Sequence, residues 1–337
     1  MAQQTHGHDP ARERALSLSP AKRALLERLV RDRAERAAAD GGPADGGPAG
    51  GAAADGGIVE LRAGTRPGAA PVVLVHPIGG GVFCYAELAR LVGGDRPVWG
   101  IAADAALCAP TSVPALAGHY LRLLAARGAA RPALLAGWSF GGLLAHEMAR
   151  RAARTGAPAL PVVLIDAAPW PDGTGPWSPA ETLEMFFLDL LGSSGAEADR
   201  VPVDAEVWRL PRARALTEAA DRLRALGHDL GLSPAELDHR FTVFTHATDA
   251  MQRHRPAGHD GPTVLFHAAE SDVRPELWEP LATGAPLTAV PVPGDHFALL
   301  GGATVHAVAR AVRRHSDGPS GPDGRPAHPT HQTQESP

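Results

Sequence analysis

The chain has 337 residues and a formal net charge of −5 at pH 7, and it lacks a basic block long enough to follow a phosphate backbone. No apolar run approaches the length of a membrane span, and the polar N-terminus lacks the apolar core of a secretory signal. The two cysteines, Cys84 and Cys108, are too few for a disulfide framework. We therefore expect a cytoplasmic protein with free thiols that binds neither nucleic acid nor membrane.

Composition divides the chain into four parts. Residues 41–57 and 316–337 are rich in glycine, proline or polar residues and have no apolar periodicity, so we expect a flexible linker and a disordered tail. Residues 58–315 have the length of one large α/β domain. Residues 1–40 form an N-terminal tail ahead of the linker.

The N-terminal tail contains a predicted amphipathic helix. Ser19 suits the cap position and Pro20 suits the first turn. The apolar stripe that follows consists of Leu25, Leu26, Leu29 and Val30. Because a flexible linker separates the helix from the domain, the stripe can dock on a partner or fold back on its own domain, and the sequence leaves both open.

Short apolar segments alternate with helical patterns along the domain. The predicted strands are 59–62, 72–75, 98–101, 133–136, 162–166, 263–267 and 287–292. The predicted helices are 82–92, 114–127, 141–155, 276–283 and 302–315. Continuous apolar strands flanked by helices indicate a mainly parallel sheet that is covered on both faces, which is a doubly wound α/β architecture.

One interval interrupts this alternation. Between Asp166 and Thr263 the sequence predicts no strand but three helical stretches, around 179–191, 205–225 and 233–253. An insertion after the carboxyl end of a strand lies above the place where such sheets bind ligands. We therefore predict a helical lid over about residues 170–260.

A serine lies at the junction of a predicted strand and a predicted helix, in the sequence Gly137-Trp138-Ser139-Phe140-Gly141. The pattern G-x-S-x-G at such a junction is typical of a nucleophile elbow, where the turn is too tight for side chains two residues before and after the serine. Ser139 is therefore the predicted nucleophile.

A serine hydroxyl needs a base, and the base needs an orienting acid. His296 follows the last predicted strand and precedes the final helix, a position that suits the base. Asp166, at the end of a buried strand, is the predicted acid, because a carboxylate there is costly unless it is paired. Asp272, which follows the next strand, is the alternative acid, and Glu270 is a weaker one.

Acyl transfer also requires N–H donors for an oxyanion. The Phe140 N–H, directly after the nucleophile, is one candidate. The second is the Ile78 N–H, in the glycine-rich loop that follows the strand 72–75. This loop lacks the nucleotide-binding glycine patterns, and no His or Cys cluster has metal-ligand spacing, so we expect neither a nucleotide site nor a metal.

These motifs resemble those of the thioesterases of nonribosomal peptide and polyketide synthases, which belong to the α/β-hydrolases. The matching segments are His76-Pro77-Ile78-Gly79-Gly80, Gly137-Trp138-Ser139-Phe140-Gly141-Gly142, Leu164-Ile165-Asp166 and Gly294-Asp295-His296-Phe297. Ser139 and Asp166 are 27 residues apart. That spacing is similar to the spacing in chain-terminating members and implies Asp166 as the acid, whereas proofreading members place the acid near Asp272.

The resemblance implies an α/β-hydrolase fold and a serine thioesterase of antibiotic-type biosynthesis. Ser139 would take an acyl or peptidyl chain from the phosphopantetheine arm of a carrier protein, and water or an amine or hydroxyl would release it. The enzyme would need no cofactor, since the arm belongs to the carrier. Met1 and both tails favour a discrete protein that meets its carrier in trans.

Several alternatives stay open at this point. The protein could be a proofreading (type II) thioesterase, a small-ester carboxylesterase or an inactive docking protein on a hydrolase fold. The sequence does not identify the acyl chain, the group that receives it or the oligomeric state. The lid aromatics either shape an acyl pocket or form the core of the lid; they are Phe186, Phe187, Trp208, Phe241 and Phe244.

Overall fold

The computed structural model describes residues 57–317, apart from 105–106, 108, 110, 155–157, 172–173 and 195–205. The predicted N-terminal helix, nearly all of the linker, Cys108 and most of the C-terminal tail lie outside these residues. Within the described ranges, no helix is both long enough and apolar enough to cross a bilayer.

The strands of the domain form a single mostly parallel sheet. They are β1 (Ile58–Arg62), β2 (Val72–Val75), β3 (Val98–Ile101), β4 (Leu134–Trp138), β5 (Val162–Ile165), β6 (Thr263–Ala268) and β7 (Thr288–Val292). Their order is β1-β3-β2-β4-β5-β6-β7, with β1 antiparallel to β3 and all other neighbours parallel. Every residue of β2, β4 and β5 is buried, which explains their continuous apolar sequences.

Helices cover both faces of the sheet. They are α1 (Ala86–Val92), α2 (Val113–Ala126), α3 (Phe140–Ala153), α4 (Pro179–Ser194), α5 (Arg212–Ala225), α6 (Pro234–Arg253) and α7 (Gly302–Ser316). Alternate residues of each strand enter two separate apolar cores: Val73 packs with α2 and α3, whereas Val72 packs with α1 and α7. The predicted doubly wound architecture is confirmed.

Local capping sets several helix boundaries. Ser112 accepts a hydrogen bond from the Ala115 N–H (3.3 Å) at the start of α2. Ser233 and Glu236 form a reciprocal capping box at the start of α6.

The helix predicted over 276–283 is wrong: the segment forms two 3₁₀ turns, Pro275–Leu277 and Glu279–Leu281. Pro280 explains this, because it has no N–H and disfavours helix at the residue before it.

The lid consists of α4, α5 and α6, close to the three predicted helical stretches. Phe186 lies at its centre, with ring centroids 5.2 Å from Phe187, 5.1 Å from Phe241 and 5.5 Å from Phe244. Phe186, Phe187 and Phe244 are fully buried, whereas Trp208 is 39% exposed. Phe186, Phe187 and Phe244 therefore belong to the core of the lid, and the half-buried Phe241 packs against them.

Candidate active site

Ser139 lies at a sharp turn between β4 and α3. Its backbone has φ 56° and ψ −128°, a strained conformation for a residue with a side chain. A Cβ atom on Gly137 would lie 2.1 Å from the Gly141 carbonyl carbon, and one on Gly141 would lie 2.3 Å from the Val75 oxygen. Both flanking glycines are therefore required by the close approach of backbone, as the motif predicts.

Asp166 occupies the end of β5 and is 2% exposed. Its φ of 44° makes it the one residue besides Ser139, among the described non-glycine residues, with a positive φ. Its Oδ1 accepts hydrogen bonds from the Ala268 N–H and the Ser271 hydroxyl, each at 2.8 Å. Burial alone would raise the pKa of Asp166, but these bonds and one from His296 outweigh burial and lower it.

His296 lies in the loop after β7, with its Nδ1 2.7 Å from Asp166 Oδ2. Because the pKa of Asp166 is lowered, its carboxylate is an acceptor, so Nδ1 carries the proton and donates it to this bond. Nε2 is then the ring nitrogen that can accept a proton. The loop is stabilised by Asp295, whose carboxylate accepts from the N–H groups of Phe297 and Ala298, each at 2.9 Å.

Trp138 links the serine to the histidine loop. Its indole N–H donates to the His296 carbonyl oxygen (3.0 Å), and its ring lies 4.8 Å from the His296 ring. The candidate base, His296, is thus held by the residue that directly precedes Ser139. Sequence reasoning noted Trp138 only as part of a motif and did not assign it this contact.

The candidate oxyanion donors lie on two adjoining loops. Phe140 is the first residue of α3, so its N–H has no partner within the helix. Ile78 lies in the turn closed by the hydrogen bond from the Gly80 N–H to the Pro77 carbonyl (3.0 Å), and in the described part of the chain its own N–H has no acceptor. The glycine-rich loop and the start of α3 are close together: a Cβ atom built on Gly141 would lie only 2.7 Å from the His76 oxygen.

Tyr85 joins the ends of the two strands that carry these loops. Its buried hydroxyl donates to the Val75 carbonyl (2.7 Å) and accepts from the Trp138 N–H (2.8 Å). Val75 and Gly137 are register partners in the parallel β2–β4 pair. Tyr85 therefore fixes the separation of the strand ends where their ladder stops, and the sequence analysis missed it because a lone tyrosine carries no motif.

His76 holds the other side of the glycine-rich loop. Its Nδ1 donates to the Pro77 carbonyl, and its Nε2 accepts from the Tyr120 hydroxyl, both at 2.7 Å. Burial lowers the pKa of His76 to about 4, so the ring is neutral near pH 7. His76 is thus a structural partner of the loop, with neither ring nitrogen left for proton transfer.

Asp272, the alternative acid, lies elsewhere. Its side chain is fully exposed, and its carboxylate is 3.6 Å from the Arg274 guanidinium. Its neighbour Ser271 instead supplies a hydrogen bond to Asp166. The geometry therefore favours Asp166 over Asp272. Across the described residues, no three His, Cys, Asp or Glu side chains converge as metal ligands.

A family model described as the thioesterase domain matches residues 70–315. The chain belongs to this family. The matched region of this thioesterase domain contains Ser139, Asp166 and His296, and both candidate oxyanion loops.

Curated relatives include a dimodular nonribosomal peptide synthase of Bacillus subtilis (strain 168), 24% identical over 234 residues. Another is the spectinabilin polyketide synthase system protein NorC of Streptomyces orinoci, 29% identical over 246 residues. These alignments cover 66% and 70% of this chain but 9% of each relative. The chain therefore corresponds to a small part of these much longer proteins.

Solved structures agree on the fold. The four-domain nonribosomal peptide synthetase holo-AB3403 superposes with a TM-score of 0.67 at 28% identity, covering 77% of this chain and 20% of that chain. The NocB thioesterase domain superposes with a TM-score of 0.53 at 22% identity, covering 74% and 95%. Together with the mostly parallel sheet, these likenesses show that this thioesterase domain has an α/β-hydrolase fold.

Proposed function

We propose that the domain is a serine thioesterase that releases an acyl or peptidyl chain from the phosphopantetheine arm of a carrier protein. The observation that carries the proposal is the 2.7 Å Asp166–His296 hydrogen bond beside the strained Ser139 turn. A nucleophile, a base and a buried acid on three neighbouring loops match the roles that acyl transfer requires.

In the acylation step, Ser139 Oγ attacks the thioester carbon and its proton passes to His296 Nε2. Asp166 stabilises the resulting imidazolium through Nδ1. The Ile78 and Phe140 N–H groups donate to the oxyanion, and the N-terminus of α3 adds its partial positive charge. The C–S bond then breaks, and the departing sulfur takes the proton from His296, which leaves the acyl chain on Ser139.

In the release step, water, an amine or a hydroxyl attacks the Ser139 ester. The acceptor passes a proton to His296 as its bond to the acyl carbon forms, and Ser139 Oγ recovers that proton as the ester C–O bond breaks. This chemistry needs no cofactor held by the enzyme, since the phosphopantetheine arrives with the substrate.

A carrier protein is the partner that this proposal requires. The relatives are named as nonribosomal peptide and polyketide synthases, and synthases of these classes move their chains on carriers. These synthases are much longer than this chain, which covers 9% of each. We therefore propose that the domain meets its carrier either as a separate protein or within a longer polypeptide.

The test is intact-mass analysis of the protein mixed with a carrier that bears a hexanoyl thioester. We expect an adduct of the acyl mass on the wild-type protein, then free hexanoic acid, and no adduct on Ser139→Ala. A fluorophosphonate probe should label the wild type and not the variant.

Other outcomes would replace the proposal. Absence of any label on the wild type would make the domain an inactive docking protein. Rapid turnover of p-nitrophenyl esters with no preference for carrier thioesters would identify a carboxylesterase, and a strong preference for acetyl over longer chains on the carrier would identify a proofreading enzyme.

A further inference from the structure

Asp189, on the lid helix α4, reaches down to the glycine-rich loop. A Cβ atom built on Gly79 would lie 2.6 Å from Asp189 Oδ2, so the loop accommodates this carboxylate because residue 79 is glycine. Gly79 directly follows Ile78, whose N–H is a candidate oxyanion donor. A lid carboxylate therefore lies against the loop that carries a candidate N–H donor to the oxyanion.

The Asp189 carboxylate is half-buried and is attracted by His296 and Arg240, but it makes no direct polar contact within the described part of the chain. In the residues that the structure describes, neither of its oxygens accepts a hydrogen bond or lies in an ion pair. Its flanking residues, Leu188 and Leu190, are partly buried and apolar. Burial raises the pKa of Asp189 to about 6, and the attraction of His296 and of the exposed Arg240 only partly opposes this.

An ionised carboxylate at this position favours a positively charged group beside it. Its negative charge repels the oxyanion that the Ile78 and Phe140 N–H groups would stabilise. A cation held between the carboxylate and the reacting carbonyl would remove the repulsion and supply a binding contact. The arrangement therefore favours substrates that carry a positive charge over neutral ones.

We propose that Asp189 is a specificity-determining residue that binds a protonated primary amine of the substrate close to the reacting carbonyl. This inference rests on the proposed thioesterase function and names the substrate class of the same site. The amine belongs either to the acyl chain, as in an aminoacyl group, or to the acceptor that releases it.

For an amine acceptor the proton balance is complete. Its ammonium gives one proton to the Asp189 carboxylate, and the neutral amine attacks the Ser139 ester. As the C–N bond forms and the C–O bond breaks, a second proton passes through His296 to Ser139 Oγ. Asp189 then returns its proton to water.

The first arm of the test compares leucyl and 4-methylpentanoyl thioesters of N-acetylcysteamine, which differ only in the amine, at pH 8. If the acyl chain carries the amine, Asp189→Asn lowers kcat/KM for the leucyl thioester at least about tenfold and does not lower it for the neutral one. An equal loss on both thioesters would assign the carboxylate to an N–H of the thioester arm and overturn the proposal.

The second arm starts from enzyme acylated with the 4-methylpentanoyl group and offers propylamine or 1-propanol. If the acceptor carries the amine, Asp189→Asn lowers the ratio of amide to acid at least about tenfold and leaves the ratio of ester to acid unchanged. No change in either arm would overturn the proposal.

Glu184→Gln is the matched control. It removes a carboxylate from the same helix, about 140° around the axis from Asp189. This variant should leave unchanged the kcat/KM values of the first arm and the two product ratios of the second. Asp189→Leu, which suits the apolar neighbours, gives a second measurement should Asp189→Asn fold poorly. Fluorophosphonate labelling of Ser139 separates the two levels: labelled enzyme with unchanged ratios defeats only this inference, whereas unlabelled wild type defeats the thioesterase proposal.

Discussion

The catalytic loops and the lid are held in different ways. At the carboxyl edge of the sheet, polar bonds fix each loop: Asp166 has three hydrogen-bond donors, and Tyr85 joins the ends of β2 and β4. The lid is held mainly by packing around Phe186, with the Arg212–Asp238 ion pair (2.8 Å) joining α5 to α6, and its carboxylate at Asp189 makes no hydrogen bond in the described residues. Directional bonds fix the positions of reacting groups, whereas apolar packing tolerates change, so we expect the loops to set the chemistry and the lid to set the substrate.

The largest effect should come from Asp166→Asn. An amide in place of the carboxylate can donate to His296 Nδ1 and so favours the wrong tautomer, and kcat should fall by about 10⁴-fold with KM nearly unchanged. Steady-state kinetics on a carrier thioester would measure this. Asp272→Asn is the control and should keep its activity. A comparable loss of kcat in that variant would identify Asp272, and not Asp166, as the acid that orients His296.

Tyr85→Phe tests whether the strand-end bridge matters. The variant leaves the Val75 carbonyl and the Trp138 N–H buried without a partner, so the free energy of unfolding should fall by about 2–4 kcal/mol. We expect kcat to fall by about 10²-fold, because the oxyanion loop and the elbow are no longer held at a fixed distance. Urea unfolding and kinetics would measure both quantities.

Tyr120→Phe removes one hydrogen bond, to His76 Nε2, and touches neither strand end. It should cost about 1 kcal/mol of stability and change kcat less than Tyr85→Phe does. If the two variants lost activity equally, the strand-end bridge would have no special role in the loop geometry.

A smaller effect is expected on the pH dependence of stability, from buried histidines near the place where the chain returns from the lid to the sheet. Burial lowers the pKa of His146 to about 3 and also lowers the pKa values of His254 and His259. Below pH 6.5 the unfolded chain binds protons that the folded chain refuses, so stability falls as pH falls toward the folded pKa values. A histidine whose folded pKa lies far below 6.5, as that of His146 does, adds a slope that approaches about 1.4 kcal/mol per pH unit.

His146→Leu should therefore reduce the loss of unfolding free energy between pH 6.5 and pH 5 by about 1.7 kcal/mol in total, as measured by urea titrations. His239→Asn, at an exposed position of α6, is the control and should leave the slope unchanged. Hydrogen exchange at pH 5 would show which region opens first. Protection lost in the catalytic loops before the lid would contradict the comparison drawn above.

Local sequence was sufficient for the sheet and for the loops that bear the predicted triad. Continuous apolar strands, the glycines around Ser139 and a carboxylate at the end of β5 each have a local physical reason. The contacts of Tyr85, Trp138 and Asp189 could not be predicted, because each one joins segments distant in the chain and belongs to no pattern. The two 3₁₀ turns, in contrast, have a local cause in Pro280, which lacks an N–H and disfavours helix at the residue before it.

The route of the chain through the lid has a consequence for how such a domain changes over evolution. The chain leaves the sheet at the carboxyl end of β5 and re-enters at the amino end of the parallel neighbour β6, so α6 is the crossover between them. The helices α4 and α5 are not needed for this crossover. Replacing the segment from α4 to α5 would exchange the face above Gly79, Asp189 included, but the replacement would have to keep a glycine at position 192, since a Cβ atom there would lie 2.3 Å from the Phe297 ring beside His296.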